Sequence, residues 1–492
     1  MTHAMVTFVA PLALDKLAAA QSAIDVLGNP ANEQVRKALA LTGNDENGTH
    51  FASLHAIRSP DDRRGYIVFE FSADGTEDEA TTRILTALQP MLKPVFTLSS
   101  DWRDGGDFAA FVNDHKVITS NGLFGNPGQP FAGTPGFTVG RINFEARLAR
   151  FCAAHVESQD KDAPALARMA SVRAAVAADA KLAGALQPAT PAPAFEGGNL
   201  LSVIRTGVCQ FISTYLWPLT ALVLLAGLIY GLGTASHTHG ALPWIATFTI
   251  GAVVAVWTAA WFALAVVVAA AILIYFALRK AEARDSIEMH SPPPALNRAM
   301  FEHENALAQN HMISITQRKP GWLRWFTSRL VFWTIGLAAT KYFKPGFLSD
   351  IGTIHFARWV TIPKSRDLLF MSNYGGSWES YLEDFITKAH SGLTGIWSNT
   401  VGFPRASNLF MDGATDGDRF KRWARRQQIP TAFWYTAYPG LTTANIRTNA
   451  AIRQGLGAAM TEDEAQSWLS LFGSEARPAS ALESLEIQSL MF

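Results

Sequence analysis

HFASLHAI (residues 50–57) returns about three hundred residues later as HFARWVTI (residues 355–362). Each copy is followed by a second apolar run, YIVFEFSADGTEDEA (66–80) in the first case and DLLFMSNYGGSWESY (367–381) in the other. Further on, Pro135-Gly136-Phe137-Thr138 with Ile142 matches Pro439-Gly440-Leu441-Thr442 with Ile446. The offset stays between 301 and 305 residues across these anchors, which unrelated short matches would not do, so the chain contains an internal repeat. A weaker pair, GDFAAFVNDHKV (106–117) and GDRFKRWARRQQI (417–429), is displaced by several residues.

Working outward from the paired strands, both copies give one order of elements. In the first, the pattern predicts a strand over 5–10, an alanine-rich helix over 14–27, strands over 49–57 and 65–72, a helix over 77–88 and a strand near 95–98. In the second it predicts a strand over 311–316, a helix over 322–343, strands over 353–362 and 368–373, a helix over 378–390 and a closing strand over 408–411. Strand, helix, strand, strand, helix, strand is the ferredoxin-like arrangement. Each copy adds a further helix (108–115 and 419–427) and a helical C-terminal region. Thr76 with Glu79 has the capping-box pattern, and Gly375-Gly376-Ser377 supplies a turn and an N-cap. The expected class is α+β: two ferredoxin-like repeats forming an intramolecular α/β barrel.

The copies are separated by 73 residues, 206–278, without a single Asp, Glu, Lys or Arg. SHTHGALP (236–243) divides this stretch into two spans, about 211–232 and 250–278, each long enough to cross a bilayer core of ~20 apolar residues. Arg205 precedes the first span and Arg279, Lys280 and Arg284 follow the second, while the connecting loop has no Lys or Arg. That asymmetry predicts a multi-pass inner-membrane protein with both termini cytoplasmic, so that the two halves share one compartment. The N-terminal MTHAMVTFVAP does not read as a signal peptide. The expected division is therefore 1–157 (first repeat), 158–204 (helical and Pro/Ala linker), 205–280 (hairpin), 281–306 (linker) and 307–492 (second repeat). Within the last, the helix over 322–343 is rich in Trp and basic residues. Its uncharged core, 330–340, is too short to span; it suits either an interfacial helix on an anionic leaflet or simply the first helix of the repeat.

Composition limits the partners. The 492 residues include 41 basic and 41 acidic ones, which offers nothing to attract nucleic acid, and two cysteines, Cys152 and Cys209, which support neither a disulfide framework nor a zinc site. The lipid bilayer and an apolar small molecule or cofactor are the partners expected.

The element order and the duplication resemble the dimeric α/β-barrel superfamily, in which two ferredoxin-like units enclose a pocket. Its members include dye-decolourising peroxidases, chlorite-dismutase-like haem proteins and small monooxygenases. Similarity to the peroxidases stops at their GxxDG haem-pocket motif: the nearest string here is FSADG, with Phe71 in place of the first glycine. TIHFARW (353–359) and SNYGGSWESYLEDFI (372–386) also resemble a family of bacterial membrane proteins. The resemblance implies a membrane-anchored oxidoreductase, peroxidase- or monooxygenase-like, binding haem or another apolar cofactor at the cytoplasmic membrane surface. The competing class is a non-catalytic membrane protein that uses the same pocket for a lipid, or that scaffolds a partner.

Candidate chemistry starts from the repeated histidines. His355, with Arg358 beside it, and His50 are the catalytic candidates, because an imidazole facing the pocket can ligate haem iron or move a proton near neutral pH. The alternative is a histidine bonding backbone at a strand end. Period-two alternation puts His355, Ala357 and Trp359 on one face and Phe356, Arg358 and Val360 on the other, without saying which face lines the pocket. Where the first copy has Ser53, Ser72, Ala73 and Glu77, the second has Arg358, Asn373, Tyr374 and Trp378, so Asn373, Tyr374 and Trp378 are the ligand-binding candidates and the second half is expected to supply the specific groups. Asn399, Arg405, Tyr435, Tyr438, Asn445 and Arg447 form a weaker set. For a metal, only His355 is a candidate, as a haem axial ligand: His237 and His239 lack a third ligand, His303-Glu304 lacks the second histidine of a zincin, and DGATDGD (412–418) has Trp423 where an EF-hand needs Glu. GNPGQPFAGTPG (125–136) lacks the Lys-Ser/Thr of a phosphate loop, and Asn47-Gly48-Thr49 would stay unglycosylated on the cytoplasmic side.

Overall fold

The computed structural model describes residues 3–29, 32–40, 48–120, 123–188, 200–302, 304, 308–343, 346–348 and 351–473. The first half runs β1 (His3–Leu12), α1 (Leu17–Gly28), α2 (Glu33–Ala40), β2 (Thr49–Arg58), β3 (Gly65–Asp74), α3 (Glu77–Phe96), α4 (Phe108–Asp114), β4 (Gly128–Ala132), α5 (Val139–Glu157) and α6 (Ala165–Ala178). Then come α7 (Leu200–Tyr215), α8 (Trp217–Ala235) and α9 (Ala241–Glu282). The second half runs α10 (Pro294–Phe301), β5 (Gln309–Gln317), α11 (Trp322–Lys341), β6 (Ile354–Thr361), β7 (Asp367–Gly375), α12 (Trp378–Lys388), α13 (His390–Trp397) and the two-residue strands β8 (Ala406–Ser407) and β9 (Met411–Asp412). It ends with α14 (Gly417–Gln427), β10 (Gln428–Ile429), β11 (Phe433–Thr436), α15 (Thr443–Leu456) and α16 (Glu462–Leu469). The class is α+β. His303 and Asn47, both considered above, lie outside the described residues, as do 189–199 of the linker.

Two antiparallel sheets carry the fold, ordered β1-β3-β2-β11 and β10-β5-β7-β6-β4. Each takes its last strand from the other half. β11 pairs with β2 through Phe433↔Leu54, and β4 pairs with β6 through Phe131↔Ala357. The sheets pack face to face, with Val9, Ile57, Tyr66 and Val68 of one meeting Ile313, Ile315, Val360, Leu369 and Met371 of the other. Their outer faces are covered by helices, so both faces are apolar, as the sequence showed. Among the described residues no strand pair joins one sheet to the other: the interior lies between two sheets, and a closed barrel is not formed.

Two predicted strands are something else. Residues 95 and 96 end α3 and 97 and 98 turn away from it, because Ile84, Leu85, Leu88, Leu92, Val95 and Phe96 continue one helical stripe into the core. Residues 408–411 join neither large sheet, Met411 alone pairing in the small β8-β9 hairpin: the Glu282 carboxylate accepts the backbone N–H groups of Asn408 (3.0 Å) and Leu409 (2.8 Å) and holds both residues at positive φ, 52° and 65°. The edge position beside β5 is filled instead by β10, just after α14. In the first half the equivalent segment after α4 reaches β1 only through a bridge between Phe8 and Lys116. The displaced repeat pair GDFAAFVNDHKV and GDRFKRWARRQQI therefore marks that edge in both halves.

Among the described residues two helices, α8 and α9, are long and apolar enough to cross a membrane. The first starts later than expected: Leu216 breaks the helical path after α7, and Pro218, which has no N–H to donate, sits in the first turn of α8. The pair packs through a stripe of small residues, Gly227, Gly231 and Ala235, the buried positions of α8. A Cβ on Gly227 would come within 2.4 Å of the Val256 side chain. At 42 residues α9 is ~63 Å long, about twice a bilayer core, and its last turns enter the second half, where Leu278 joins the core. The basic-aromatic helix α11 buries Val331, Phe332 and Ile335, leaves Trp322 and Trp325 exposed, and meets Phe211 of α7 with Trp333.

Candidate active site between the sheets

The site begins with a local defect repeated in both halves. β2 and β3 pair regularly from Arg58 to Phe51 and then slip between Phe51 and Thr49; β6 and β7 slip between Phe356 and Ile354. The extra residue in each bulge is the repeated histidine, His50 or His355. A bulge lets two successive side chains turn to one side. His50 lies against Phe356 (5.0 Å between ring centroids) and His355 against Phe51 (5.4 Å), so both face the space between the sheets. Simple alternation therefore fails at this residue: Ala357 and Trp359 point into the helical layer, and His355 does not go with them.

Alternation along β1 and β3 brings His3, Thr7 and Val9 beside Asp74, Glu70 and Val68 on the same inner face. His3 and Asp74 are directly opposed partners, and the bulge, which leaves His50 unpaired beside Ala73 and Ser72, turns its ring toward the same carboxylate. There His50 Nε2 lies 2.9 Å from Asp74 Oδ1 and His50 Nδ1 lies 2.8 Å from the Tyr438 hydroxyl. The other carboxylate oxygen accepts the backbone N–H groups of Gly48 (3.0 Å) and Val139 (2.9 Å). His3 Nδ1 is 3.7 Å from Asp74 Oδ1, while its Nε2 lies 3.0 Å from the Gly136 nitrogen and 3.3 Å from the Thr134 carbonyl. Burial would raise the Asp74 carboxyl, but the His50 hydrogen bond and charge and the Val139 N–H outweigh it and hold it below the usual carboxylate range. Burial, and next the His50 charge, lowers His3 to about 4. Burial, and next the Asp74 charge, pushes the Tyr438 hydroxyl well above its usual range, so it stays protonated and can donate to His50. Tyr438, His50 and Asp74 thus form a line able to hold and pass a proton.

A second polar group lies further into the interior. Glu70 accepts from Ser53 Oγ (2.9 Å) and faces Arg358 (3.1 Å) and His311 (3.5 Å). Burial alone would raise its carboxyl, yet the Arg358 guanidinium and His311 hold it down at about 2. Arg358 also donates to the carbonyls of Val6 (2.8 Å) and Phe71 (3.0 Å), which ties one sheet to the other. His55 stacks on His311 at 5.3 Å, and burial lowers it to about 3.

The sequence candidates separate clearly on this framework. His50, Arg358 and, from the weaker set, Tyr438 lie in the interior with polar partners. Asn373 is also interior and accepts from Trp434 Nε1 at 2.8 Å. Tyr374 and Trp378 point the other way, into the helical layer, where Tyr374 stacks on Tyr381 at 3.9 Å and Trp378 lies under the Arg425 guanidinium at 3.7 Å. Of the remaining weaker candidates, Tyr435 lies in the helical core of the first unit, Arg447 ties together the carbonyls of Gly133, Gly346 and Gly352, Asn399 accepts from Thr327, Asn445 caps α15, and Arg405 offers its carbonyl to Gly413. His355 is fully buried, lowered to about 3 by burial, and neither ring nitrogen has a hydrogen-bond partner. It does not fit an axial haem ligand: its ring is enclosed by Phe51 and Tyr438, and the cleft described next does not reach it. The specific groups come mainly from the first half, where Asp74 corresponds to Gly375 of the second. His3, Asp74, Glu70 and His311 were not singled out from the sequence. The available signal was clearest in β3, where Glu70, Ser72 and Asp74 alternate with apolar residues.

Between β1 and β4, the edge strands of the two sheets, lies a cleft of about 550 Å³. Met5, Ile118, Pro130 and Ala132 give it an apolar side, Glu77, Lys116 and Thr119 a polar one, and His3 and Arg358 reach its wall. His3 connects the cleft to the buried carboxylate. A scan against family models, a search of curated proteins and a search of solved structures each return no match for this chain.

Proposed function

We propose that the protein is a membrane-anchored oxidoreductase whose cleft binds an apolar small molecule or cofactor with its reactive end at His3. In this reading the halves are two divergent ferredoxin-like units forming a barrel-like interior, α8 and α9 span an inner membrane, and both units lie on the cytoplasmic side. The observation that carries it is the cleft itself: concave, part apolar and part polar, and ending on the line His3, Asp74, His50 and Tyr438. A molecule that gains or loses electrons there also needs a group to take or return protons, and that line supplies one. Haem bound through His355 is no part of the proposal, because the ring has no open face.

The test is the full-length protein purified in detergent, analysed by absorption spectroscopy and by mass spectrometry of extracted small molecules. Ala132 faces the cleft from β4, so Ala132→Trp should fill it and expel a redox-active molecule that the native protein retains, with the fold intact by circular dichroism. A colourless native protein carrying only bilayer lipid, unchanged by Ala132→Trp, would instead favour the non-catalytic, lipid-binding role.

A further inference from the structure

We infer that His3, His50 and Asp74 bind one divalent first-row metal ion, open toward the cleft; this rests on the cleft being the working site. The ligand-type atoms of the three residues lie within 4.8 Å of one another. Two ligands on one tetrahedral ion with bonds of about 2.0–2.1 Å are about 3.3 Å apart, and the separations to Asp74 Oδ1 are 2.9 Å from His50 Nε2 and 3.7 Å from His3 Nδ1. Two imidazoles and a carboxylate suit zinc, iron(II), cobalt or manganese and leave coordination positions for water or substrate.

The atoms behind the ligands carry the argument further. A metal-bound histidine donates its other ring N–H to a fixed partner. His50 Nδ1 has the Tyr438 oxygen at 2.8 Å, and His3 Nε2 has the Thr134 carbonyl at 3.3 Å. The free oxygen of Asp74 is fixed by two backbone N–H groups. All three ligands are thus oriented from behind. A purely structural His50–Asp74 pair would not need His3, whose buried Nδ1 points at the same carboxylate oxygen from beyond hydrogen-bond distance and has no other partner. A metal ion between the three accounts for that nitrogen. Binding would shift the neutral histidines to the tautomers that donate to Tyr438 and Thr134, and so release the Gly136 N–H from His3.

The test uses tag-free full-length protein in detergent, with His237→Ala and His239→Ala to remove the exposed histidine pair, stripped with a chelator and titrated with cobalt(II). Expected are visible d–d absorption bands saturating at about one cobalt per chain and abolished by zinc. His3→Phe and Asp74→Asn should remove the bands, Tyr438→Phe should weaken binding about tenfold or more, and His355→Phe should leave it unchanged. Should the ligand variants fail to fold, nitrogen NMR of the unaltered rings decides: zinc must shift the ring resonances of His3 and His50 and spare His355. No stoichiometric cobalt, equal affinity in His3→Phe and Asp74→Asn, or unshifted His3 and His50 rings would overturn the inference. A protein that takes no cobalt but still loses its cleft molecule in Ala132→Trp ends the metal site and keeps the cleft. Cobalt bound at these residues with nothing ever held in the cleft does the reverse.

Discussion

At the scale of single residues, this interior is unusual for the number of imidazoles it keeps neutral. His55 and His355 are both lowered from 6.5 to about 3, in each case first by burial and then by a neighbouring histidine. The unfolded chain therefore binds more protons than the folded one between those values. Stability is at its full level above about pH 6.5 and falls as pH drops toward 3, by about 1.4 kcal/mol per unit for each such group. Glu70, held at about 2 against 4.5, adds its own loss only below about pH 4.5. His55→Phe keeps a ring against His311 and removes one titrating group. Unfolding free energies from urea titrations at pH 6, 5 and 4 should then fall less steeply by about 1.4 kcal/mol per unit than in the native chain; an unchanged slope would mean that His55 accepts a proton without cost. His50 and His355 were legible as a pair from the repeat. Their different roles were not, because the partners that separate them come from elsewhere, Asp74 from β3 and Tyr438 from the turn after β11.

At the scale of elements, local pattern gave most strands and helices, and it failed where a distant group took over the backbone. The segment expected as a strand over 408–411 follows Glu282, 126 residues earlier in the chain, and not its own alternation. Glu282 is 1% exposed and also pairs with Arg279 at 2.7 Å, so α9 reaches the second half as a fixed strut. Glu282→Ala removes two charge-assisted hydrogen bonds and should cost about 2–4 kcal/mol, taking 1.5–3 for one such bond and allowing for relaxation of the loop. Hydrogen exchange should locate the effect at the Asn408 and Leu409 amides. Unaltered protection there would show that the loop is held by other contacts.

At the scale of the whole molecule, the exchange of β4 and β11 makes each half part of the other's sheet. Residues 1–188 alone would leave the edge of β2 unpaired and the inner face of their sheet in water, and residues 277–473 alone would lack the strand beside β6. Each fragment should aggregate or self-associate when expressed separately, and the two together should form a soluble pair by size-exclusion chromatography. Two monomeric, cooperatively folding fragments would show that neither half depends on the other's strand.

The sequence by itself determined the duplication, the α+β order of elements, the charge-free helical pair and the caps, because each is written in local periodicity, spacing or turn chemistry. The length of α3 was misread, the helix being ended at 88 although its apolar stripe runs on past Pro90 and Pro94. Only the tertiary structure decided which strands are exchanged, that the sheets stay open between β1 and β4, and that His3 and His50 meet at the Asp74 carboxylate. Those outcomes depend on strand register and on two bulges. A single-residue slip turns a side chain from one face to the other, and long-range pairing, not local pattern, selects the register.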